Sequence, residues 1–504
     1  MALTVNDEYS DLLDKKTCAP AHKSTECRAV ETIEPKILNP ADPMATARLF
    51  VKEHHTHDDQ GTLFHQSGCF YRWSGSYYPQ VDAAEIRKQV YELLEAAVRD
   101  GKGDEAVPFQ PTKRKVDDVV DAVRAVTQLP SSVSAPAWLN SAAAGRIFRR
   151  REIRPAEEFI AFPNGLLHLP TQDFHEPTPV LFTHNAVEFD YHPTAPEPKR
   201  WLEFLNQLWP EDSLAIESLR HWFGYCLTPD TSQQKIFLIA GPKRSGKGTI
   251  AGVLRELVGK QNVCAPTLAS LAGNFGLASM IGKTLAIIAD ARLGGRSDQA
   301  AIAERLLSVS GEDTLSIPRK FLPDWTGKLN TRFMVLTNEL PRISDTSGAL
   351  ASRFILLTLT QSFYGKEDHR LFEKLRDELP GIALWAIQGW IGLQALDRIH
   401  QPKSSLEALQ ELEDLSSPVA AFVRDRCDVG PDQSVEVTEL YRQWRVWCEG
   451  SGRSHPGTLQ NFGRDIRAVT PGLLITRPRI GDERVRRYEG IGLKTGFGPH
   501  GPRP

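Results

Sequence analysis

Paired cysteines, long apolar runs and an excess of charge of either sign are all missing from this 504-residue sequence. Its seven cysteines are scattered, odd in number and never spaced as C-x-x-C, which excludes a zinc knuckle or a disulfide framework and favours reduced thiols. No apolar run approaches the ~20 residues of a membrane span. The first residues, MALTVNDEYSDLLDKK, do not follow the basic-then-apolar pattern of a secretory signal. We therefore expect a cytoplasmic protein with no membrane partner.

The composition is that of an ordinary globular protein, with 41% hydrophobic and 24% charged residues. A chain of this length predicts about three domains. Because the net charge is only −3, any contact with nucleic acid must come from local basic patches.

A glycine-rich loop is the most informative motif in the chain. Residues 235–249 read KIFLIAGPKRSGKGT, in which an apolar strand breaks into a loop and then opens a helix. Such a loop turns its backbone N–H groups toward a polyphosphate, and the helix N-terminus and lysine add positive charge. The motif predicts ATP binding by Gly241, Pro242, Lys243, Arg244, Ser245, Gly246, Lys247, Gly248 and Thr249. In the strict pattern G-x-x-x-x-G-K-[ST], Gly248 stands where the Mg²⁺-binding hydroxyl is expected, and Thr249 follows.

Three polar residues adjoin later strand-like runs. Asp290 follows 284–289, where a carboxylate is placed to hold Mg²⁺. Asn338 follows 333–337, where an amide can hold the attacking water or sense the γ-phosphate. Arg353 precedes 354–359, from where a guanidinium could reach the nucleotide of a neighbouring subunit. Each residue also has a plainer interpretation as a turn cap or a surface ion pair.

A second acid beside Asp290 is missing, so the base that activates water is open. The downstream candidates are Asp298, Glu304, Glu312 and Asp313. The sequence does not choose among them.

The alternation of strand-like and helical stretches predicts a covered, largely parallel α/β sheet in the nucleotide-binding region. Asn164-Gly165 between apolar runs predicts a hairpin turn. The predicted organisation is a flexible tail at 1–40, a small α+β module at 41–100, a mainly helical domain at 101–230, the nucleotide-binding domain at 231–400, a linker at 401–416, a winged-helix-like domain at 417–494 and a tail at 495–504.

Two other basic clusters and one histidine run have weaker interpretations. Three helices and a basic hairpin after residue 417 are in winged-helix order, and they predict DNA contacts by Arg464, Arg467, Arg484, Arg486 and Arg487. The run RIFRRREIR at 146–154 is a DNA or partner contact or simply a solvated charge run. HHTHDD at 54–59 reads as a polar loop, because it lacks a second group of metal ligands at suitable spacing.

Taken together, GPKRSGKGT, LAIIADARL, SGEDTLSIPRK, MVLTNELP and ASRF occur in an order that resembles the superfamily 3 helicases. The phage/plasmid primase-helicase type is the most similar branch, since 161–230 is similar to the region that precedes its helicase. The resemblance implies a P-loop, AAA+-like ATPase core at 231–400 and a ring, expected to be a hexamer, that acts on single-stranded or forked DNA. A separate primase or replication initiator is a further partner to be expected.

The resemblance also implies roles for single residues. Lys247 would bind the β- and γ-phosphates, and Thr249 and Asp290 would serve Mg²⁺. Asn338 would sense the γ-phosphate, and Arg353 would be an arginine finger that acts across subunits. Arg319 and Lys320 would grip DNA from a hairpin with a turn at Pro323-Asp324.

Two alternatives of a different class stay open. A small-molecule kinase is the first, because G-K-G-T also suits adenylate kinase. A DNA-binding initiator with a weak or inactive ATPase is the second, because of Gly248 and the single acid at Asp290. Primer synthesis is not predicted, since the first 100 residues are too short for a full primase domain.

Overall fold

The computed structural model of the chain describes residues 36–101, 105–148, 153–291, 298–343, 345, 348–452, 456–480 and 483–494. The tails predicted at 1–40 and 495–504 lie outside the described residues, except for 36–40. Single 3₁₀ turns occur at Ala156–Glu158, Lys260–Asn262, Ala278–Met280 and Lys403–Ser405.

The first unit packs helices against a small antiparallel sheet. Its elements are α1 Pro43–His54, β1 Thr56–His57, β2 Gln60–Gly61, β3 Leu63–Gln66, β4 Cys69–Arg72, β5 Gln80–Val81, α2 Ala83–Glu95, β6 Val98–Asp100, β7 Ala106–Pro108 and α3 Lys113–Val126. The next two elements, β8 Ala137–Trp138 and α4 Ser141–Ile147, pack with the second region. The side chains of Asp42, Asp82 and Thr112 cap α1, α2 and α3 by accepting backbone N–H bonds. Val116 and Val120 of α3 are buried with Phe50 of α1, so this α+β unit extends past the boundary predicted at 100.

The second region is less helical than predicted for 101–230. It contains β9 Phe159–Phe162, β10 Gly165–His168, β11 Phe174–His175, β12 Leu181–Phe182, α5 Lys199–Leu208 and α6 Ser213–Cys226. The predicted hairpin is confirmed, because β9 and β10 pair antiparallel with Phe162 opposite Gly165. Its two loop residues are Pro163 and Asn164, one position earlier than the predicted Asn164-Gly165.

The third region is built on a five-stranded parallel sheet of order β14-β15-β18-β13-β19. Its elements are β13 Ile236–Ala240, α7 Lys247–Val258, β14 Val263–Cys264, α8 Leu268–Leu271, β15 Leu285–Ile288, α9 Gln299–Ser310, β16 Leu315–Arg319, β17 Leu322–Gly327, β18 Arg332–Thr337, α10 Ala349–Arg353, β19 Phe354–Thr358, α11 Leu371–Arg376 and α12 Leu379–Leu396. All four predicted strands are confirmed. The edge strand β14 was missed, because two residues carry no periodicity.

Both faces of this sheet are covered, as expected for parallel strands. Phe237 and Ile239 of β13 face a core that includes α5, α6, α7 and α12, whereas Ile236 and Leu238 face a second core with α8 and α9. Trp222 of α6 stacks on Phe237 with ring centroids 4.9 Å apart. The boundary predicted at 230 therefore divides a single core.

Helix α12 is the one described helix that is long and apolar enough to cross a membrane by length and composition, with a mean hydropathy of 1.2. Its buried residues pack against α6. A Cβ atom on Gly224 would lie 2.2 Å from the carbonyl oxygen of Ala386, and one on Gly389 would lie 2.3 Å from that of Arg220. Glycine at these two positions allows the close contact between the helices.

The C-terminal region begins with a helix that packs on the sheet. The elements are α13 Leu406–Ser416, α14 Pro418–Arg426, β20 Cys427–Glu436, α15 Val437–Gly450, α16 Leu459–Val469, β21 Leu474–Thr476, β22 Arg479–Ile480, β23 Glu483–Arg484 and β24 Arg487–Leu493. Leu412 of α13 is buried in the core around Leu238, so the predicted linker at 401–416 contains a helix that packs on the sheet domain. The three predicted helices after 417 are confirmed as α14, α15 and α16. Strand β20, which was not predicted, joins a sheet of order β20-β24-β21.

Candidate functional site

The glycine-rich loop connects the end of β13 to the start of α7. Gly246 precedes the helix in a left-handed conformation with φ 91°, and a Cβ atom there would lie 3.0 Å from Cζ of Phe204. A Cβ atom on Gly241 would lie 2.6 Å from the carbonyl oxygen of Leu359. Glycine is required at both ends of the loop, by backbone conformation at one and by close approach at both.

The side chain of Lys247 connects the loop to the end of β18 through hydrogen bonds. Its ammonium donates to the carbonyl oxygens of Gly241 and Pro242, both at 2.7 Å, and to the Ser245 hydroxyl at 3.2 Å. It also donates to the side-chain oxygen of Asn338 at 3.1 Å. Burial lowers the pKa of Lys247 below its usual range. A cation at a helix N-terminus, beside N–H groups without intrahelical partners, has the charge and geometry to bind a phosphate.

The structure brings Asn338 and Asp290 to the same edge of the sheet as Lys247. Asn338 follows β18, the direct neighbour of β13, and is half-buried. Asp290 follows β15 and is exposed; its strand lies two positions from β13, or about 10 Å at ordinary strand spacing. Thr249, half-buried, is in the first turn of α7. Hydroxyl and carboxylate oxygens are the ligand types that Mg²⁺ prefers, so Thr249 and Asp290 fit that ion chemically.

Arg353 lies at the opposite edge of the sheet. It ends α10 just before β19, whose first residue pairs with Ile236 at the start of β13. The length of β13 separates this edge from the loop by about 16 Å. The guanidinium donates to the side-chain oxygen of Gln234, which precedes β13. Arg353 is thus too far away to join the Lys247 site of its own chain.

The candidate bases lie at different edges of the sheet, because α9 runs from one edge to the other. Asp298 caps the start of this helix, on the side of Asp290, by accepting the N–H of Ala301 at 3.1 Å. Glu312 lies beyond its end and binds Lys328 and Thr231, both at 2.5 Å. Glu312 and the adjacent Asp313 are therefore on the Arg353 side, away from the Lys247 loop of their own chain, whereas Glu304 lies along the helix.

Sequence reasoning missed Glu339. It directly follows Asn338, is exposed and stands at the Lys247 edge of the sheet. The signal was present as a second polar residue after the strand, in TNEL.

A cavity of about 610 Å³ adjoins the loop. Its walls come from α5, from the loop and from the segment 363–374, and they include Arg200, Phe204, Gln207, Thr249, His369 and Lys374. The segment is attached to the loop, because the N–H of Phe363 donates to the carbonyl oxygen of Arg244 at 2.9 Å. The Arg244 side chain also pairs with Glu367 at 3.5 Å. The volume is within the range of small-molecule sites.

The predicted DNA hairpin is present as β16 and β17. Arg319 pairs with Leu322, so the turn is Lys320-Phe321 and not the predicted Pro323-Asp324. Arg319 donates to the carbonyl oxygen of Pro323 at 2.9 Å and to that of Ser67 in the first unit at 3.1 Å. The ammonium of Lys320 lies 5.7 Å from the ring centroid of Phe275.

The arginines of the C-terminal region that were predicted to contact DNA differ in their exposure to solvent. Arg464, Arg467, Arg484 and Arg486 are exposed. Arg487 is half-buried and donates to the Ser434 hydroxyl at 2.8 Å, which fixes β24 to β20. The turn at Gly481-Asp482 and much of the 146–154 cluster, at 149–152, lie outside the described residues.

Among the residues that the structure describes, no group of three or more His, Cys, Asp or Glu side chains is arranged to hold a metal ion. The HHTHDD run is not the polar loop predicted, because it contains the end of α1, the buried His55 and the strand β1. The cysteines in the described ranges include free thiols at Cys69, Cys226, Cys264, Cys427 and Cys448.

Known families match two parts of the chain. Residues 47–210 match the family described as "D5 N terminal like", and residues 239–353 match a "Family of unknown function (DUF5906)". No curated protein matches the sequence.

Solved structures show the fold of a larger part. The apo structure of the NrS-1 C terminal region is 11% identical, with 90% of this chain and 99% of that chain covered and a TM-score of 0.52. A second structure of that region, the A form, is 12% identical over 90% and 100% of the two chains, with a TM-score of 0.48. The chain is thus similar to the D5 N terminal like family over residues 47–210, and it shares the fold of the NrS-1 C terminal region.

Proposed function

We propose that the chain is an ATP-dependent DNA helicase or translocase of superfamily 3. It would act in the cytoplasm in the replication of a phage, a plasmid or another mobile element. The observation that carries the proposal is the contact between Lys247 and Asn338. It links the glycine-rich loop to the end of the neighbouring strand, where a γ-phosphate would meet a water molecule.

The triphosphate would lie on the N-terminus of α7. Backbone N–H groups of the loop and the ammonium of Lys247 would bind its oxygens, and the 610 Å³ cavity would receive the nucleoside. Lys247 would exchange the loop carbonyls of Gly241 and Pro242 for phosphate oxygens. Mg²⁺, held by Thr249 and Asp290, would neutralise charge on the phosphates.

The attacking water would be oriented by Asn338. Two carboxylates with the right placement could take its proton, Glu339 after β18 and Asp298 at the start of α9. The variants Glu339→Gln and Asp298→Asn would show which of the two is the base. The variant that loses the base should lose turnover while it retains ATP binding.

Arg353 would act on the nucleotide of a neighbouring subunit. Its position at the edge of the sheet opposite to Lys247 supports a site shared between two chains, as in a hexameric ring. The exposed arginines of the C-terminal region would bind DNA through its phosphates, and the winged-helix-like order of that region supports this role. A separate primase or initiator would complete the replication machinery.

Two assays test the proposal. Single-stranded DNA should stimulate ATP hydrolysis by the wild-type protein and not by Lys247→Ala protein. Phosphate transfer to AMP in place of hydrolysis would instead identify a nucleotide kinase. No hydrolysis with DNA and Mg²⁺ present would identify an initiator with an inactive ATPase site.

A further inference from the structure

A glutamine lies between a cation and an anion at the Arg353 edge of the sheet. The side-chain oxygen of Gln234 accepts from the guanidinium of Arg353. The other end of the same amide donates to the carbonyl oxygen of Gly311 at 3.4 Å and hydrogen-bonds the Glu312 carboxylate. Because an amide has one acceptor end and one donor end, the two opposite charges select a single orientation of Gln234.

The carboxylate of Glu312 is fixed by two further groups. It accepts from the Thr231 hydroxyl and from the ammonium of Lys328, both at 2.5 Å. Burial raises the pKa of this carboxyl, but hydrogen bonds from Lys328, Thr231 and Gln234 lower the pKa by more, to below its usual range. The group is therefore an anion at neutral pH, and its charge orients the amide beside it.

Gln234 and Glu312 both have an unusual backbone conformation. Their φ angles are 50° and 69°, in the left-handed region that favours glycine. A glycine would adopt either conformation at lower cost, but it would have no side chain to bind Arg353 or Lys328. Other residues in this region of φ cluster at active sites and switch regions.

Neutral oxygens accept the described hydrogen bonds of the Arg353 guanidinium. Besides the side-chain oxygen of Gln234, the backbone oxygen of that residue accepts at 3.4 Å. Charge-assisted hydrogen bonds are roughly twice as strong as neutral ones, so a phosphate would displace these acceptors. Arg353 is thus held in place by contacts that an incoming anion can replace.

We propose that Glu312 is a positioning residue for Arg353. Its carboxylate orients the amide of Gln234, and the amide oxygen holds the guanidinium ready for the nucleotide of a neighbouring chain. Glu312 itself touches neither that nucleotide nor the attacking water, and its effect on turnover passes through Arg353. This role deepens the proposed function and rests on it.

The variant Glu312→Gln keeps the size of the side chain and removes its charge. The kcat of ATP hydrolysis should fall about 10- to 100-fold, as for a misplaced catalytic group. KM, and the affinity and number of sites for a fluorescent nucleotide, should not change. Glu407→Gln removes the same charge from an exposed position on α13 and should behave as wild type. A wild-type kcat in Glu312→Gln, or a loss explained by weaker nucleotide binding, would overturn the positioning role.

Mixed proteins show on which side of a shared site the defect lies. Glu312→Gln protein should recover activity with Lys247→Ala protein, since the two changes lie on opposite sides of that site. It should not recover with Arg353→Ala protein, because both changes affect the same side. The reverse pattern would place Glu312 on the Lys247 side and refute the proposal.

Two more variants separate positioning from an ion-pair or base role. Glu312→Asp keeps the charge, suits a positive φ and should lose less kcat than Glu312→Gln. Lys328→Gln leaves the carboxylate beside Gln234 and should keep kcat within about fivefold, because a partly exposed ion pair contributes little. An equal loss in Lys328→Gln, or a pH profile of kcat without its acidic limb in Glu312→Gln, would contradict positioning.

The positioning role and the proposed function fail in different ways. A wild-type protein that hydrolyses no ATP would refute the proposed function, and the positioning role with it. A wild-type protein that hydrolyses ATP, with an equal kcat in Glu312→Gln, would refute only the positioning role.

Discussion

The ammonium of Lys247 and the side-chain oxygen of Asn338 lie 3.1 Å apart, at the edge of the sheet where two adjacent parallel strands end. This hydrogen bond joins a residue of the loop to a residue 91 positions later in the chain. Its position at the N-terminus of α7 gives it positive potential.

Lys247→Ala should abolish ATP hydrolysis and leave the fold intact, because the ammonium bonds to loop carbonyls, a hydroxyl and an amide and joins no buried ion pair among the described residues. ATPase activity and the circular dichroism spectrum measure the two effects. Lys260→Ala, which removes a lysine from beyond the other end of α7, should retain wild-type activity. Unwinding by the Lys247→Ala protein at the wild-type rate would refute the motor.

Asn338→Asp should weaken ATP binding at least tenfold. A carboxylate at this position would pair with Lys247 and repel the γ-phosphate. Asn338→Ala removes the amide without adding charge, so it should lower kcat more than affinity. Titration with a fluorescent nucleotide measures the affinity of each variant. Equal affinities for Asn338→Asp and Asn338→Ala would contradict a γ-phosphate placed beside residue 338.

The two glycines around Lys247 should respond in opposite directions. Gly246→Ala should destabilise the protein by about 1–2 kcal/mol or more, because φ is positive and Phe204 is close. At Gly248 an added Cβ would meet no described atom within 4 Å beyond the adjacent residues and the backbone of its own helix, and Gly248→Ala should stabilise α7 by about 0.5–1 kcal/mol. Urea unfolding measures both changes. Destabilisation by Gly248→Ala would contradict an open environment at the helix start.

Arg353→Ala should preserve ATP binding and abolish turnover, and mixing it with Lys247→Ala protein should recover part of the activity. Recovery requires that sites combine residues from two chains. Gln234→Ala is the matched control, because it removes the side chain that accepts from Arg353 within the chain. A loss of turnover in Gln234→Ala as large as in Arg353→Ala would indicate a structural role.

Acid should destabilise the first unit. Burial, together with the nearby Arg72, lowers the pKa of His55 to about 4 from its usual 6.5. Since the unfolded chain binds a proton at higher pH than the folded chain does, stability is complete above 6.5 and falls between 6.5 and 4. Unfolding of wild type and His55→Leu at about pH 7.5 and about pH 5 should show a smaller loss for the variant. Equal losses would exclude His55 as the cause.

The sheet and the positions of Asn338 and Asp290 could be predicted from sequence because apolar strands with polar residues at their carboxyl ends are local signals. Which residues lie at the opposite edge of the sheet, beside Arg353, could not be predicted in this way. Glu312 stood among the candidates for the base because linear distance says nothing about the direction of α9. The turn at Lys320-Phe321 was misplaced because Pro323-Asp324 has the stronger turn chemistry, whereas the strand register decides.

The contact between Phe204 and Gly246 determines how far the protein can be shortened. Helix α5 lies within the part of the chain that matches the D5 N terminal like family, yet it forms a wall of the loop, and its first N–H groups donate to Glu378 of the sheet domain. A fragment that starts at residue 231 would expose this wall and much of the core around Phe237 to water. We therefore expect the smallest independently folding unit that contains the glycine-rich loop to begin before Lys199, inside the preceding family region.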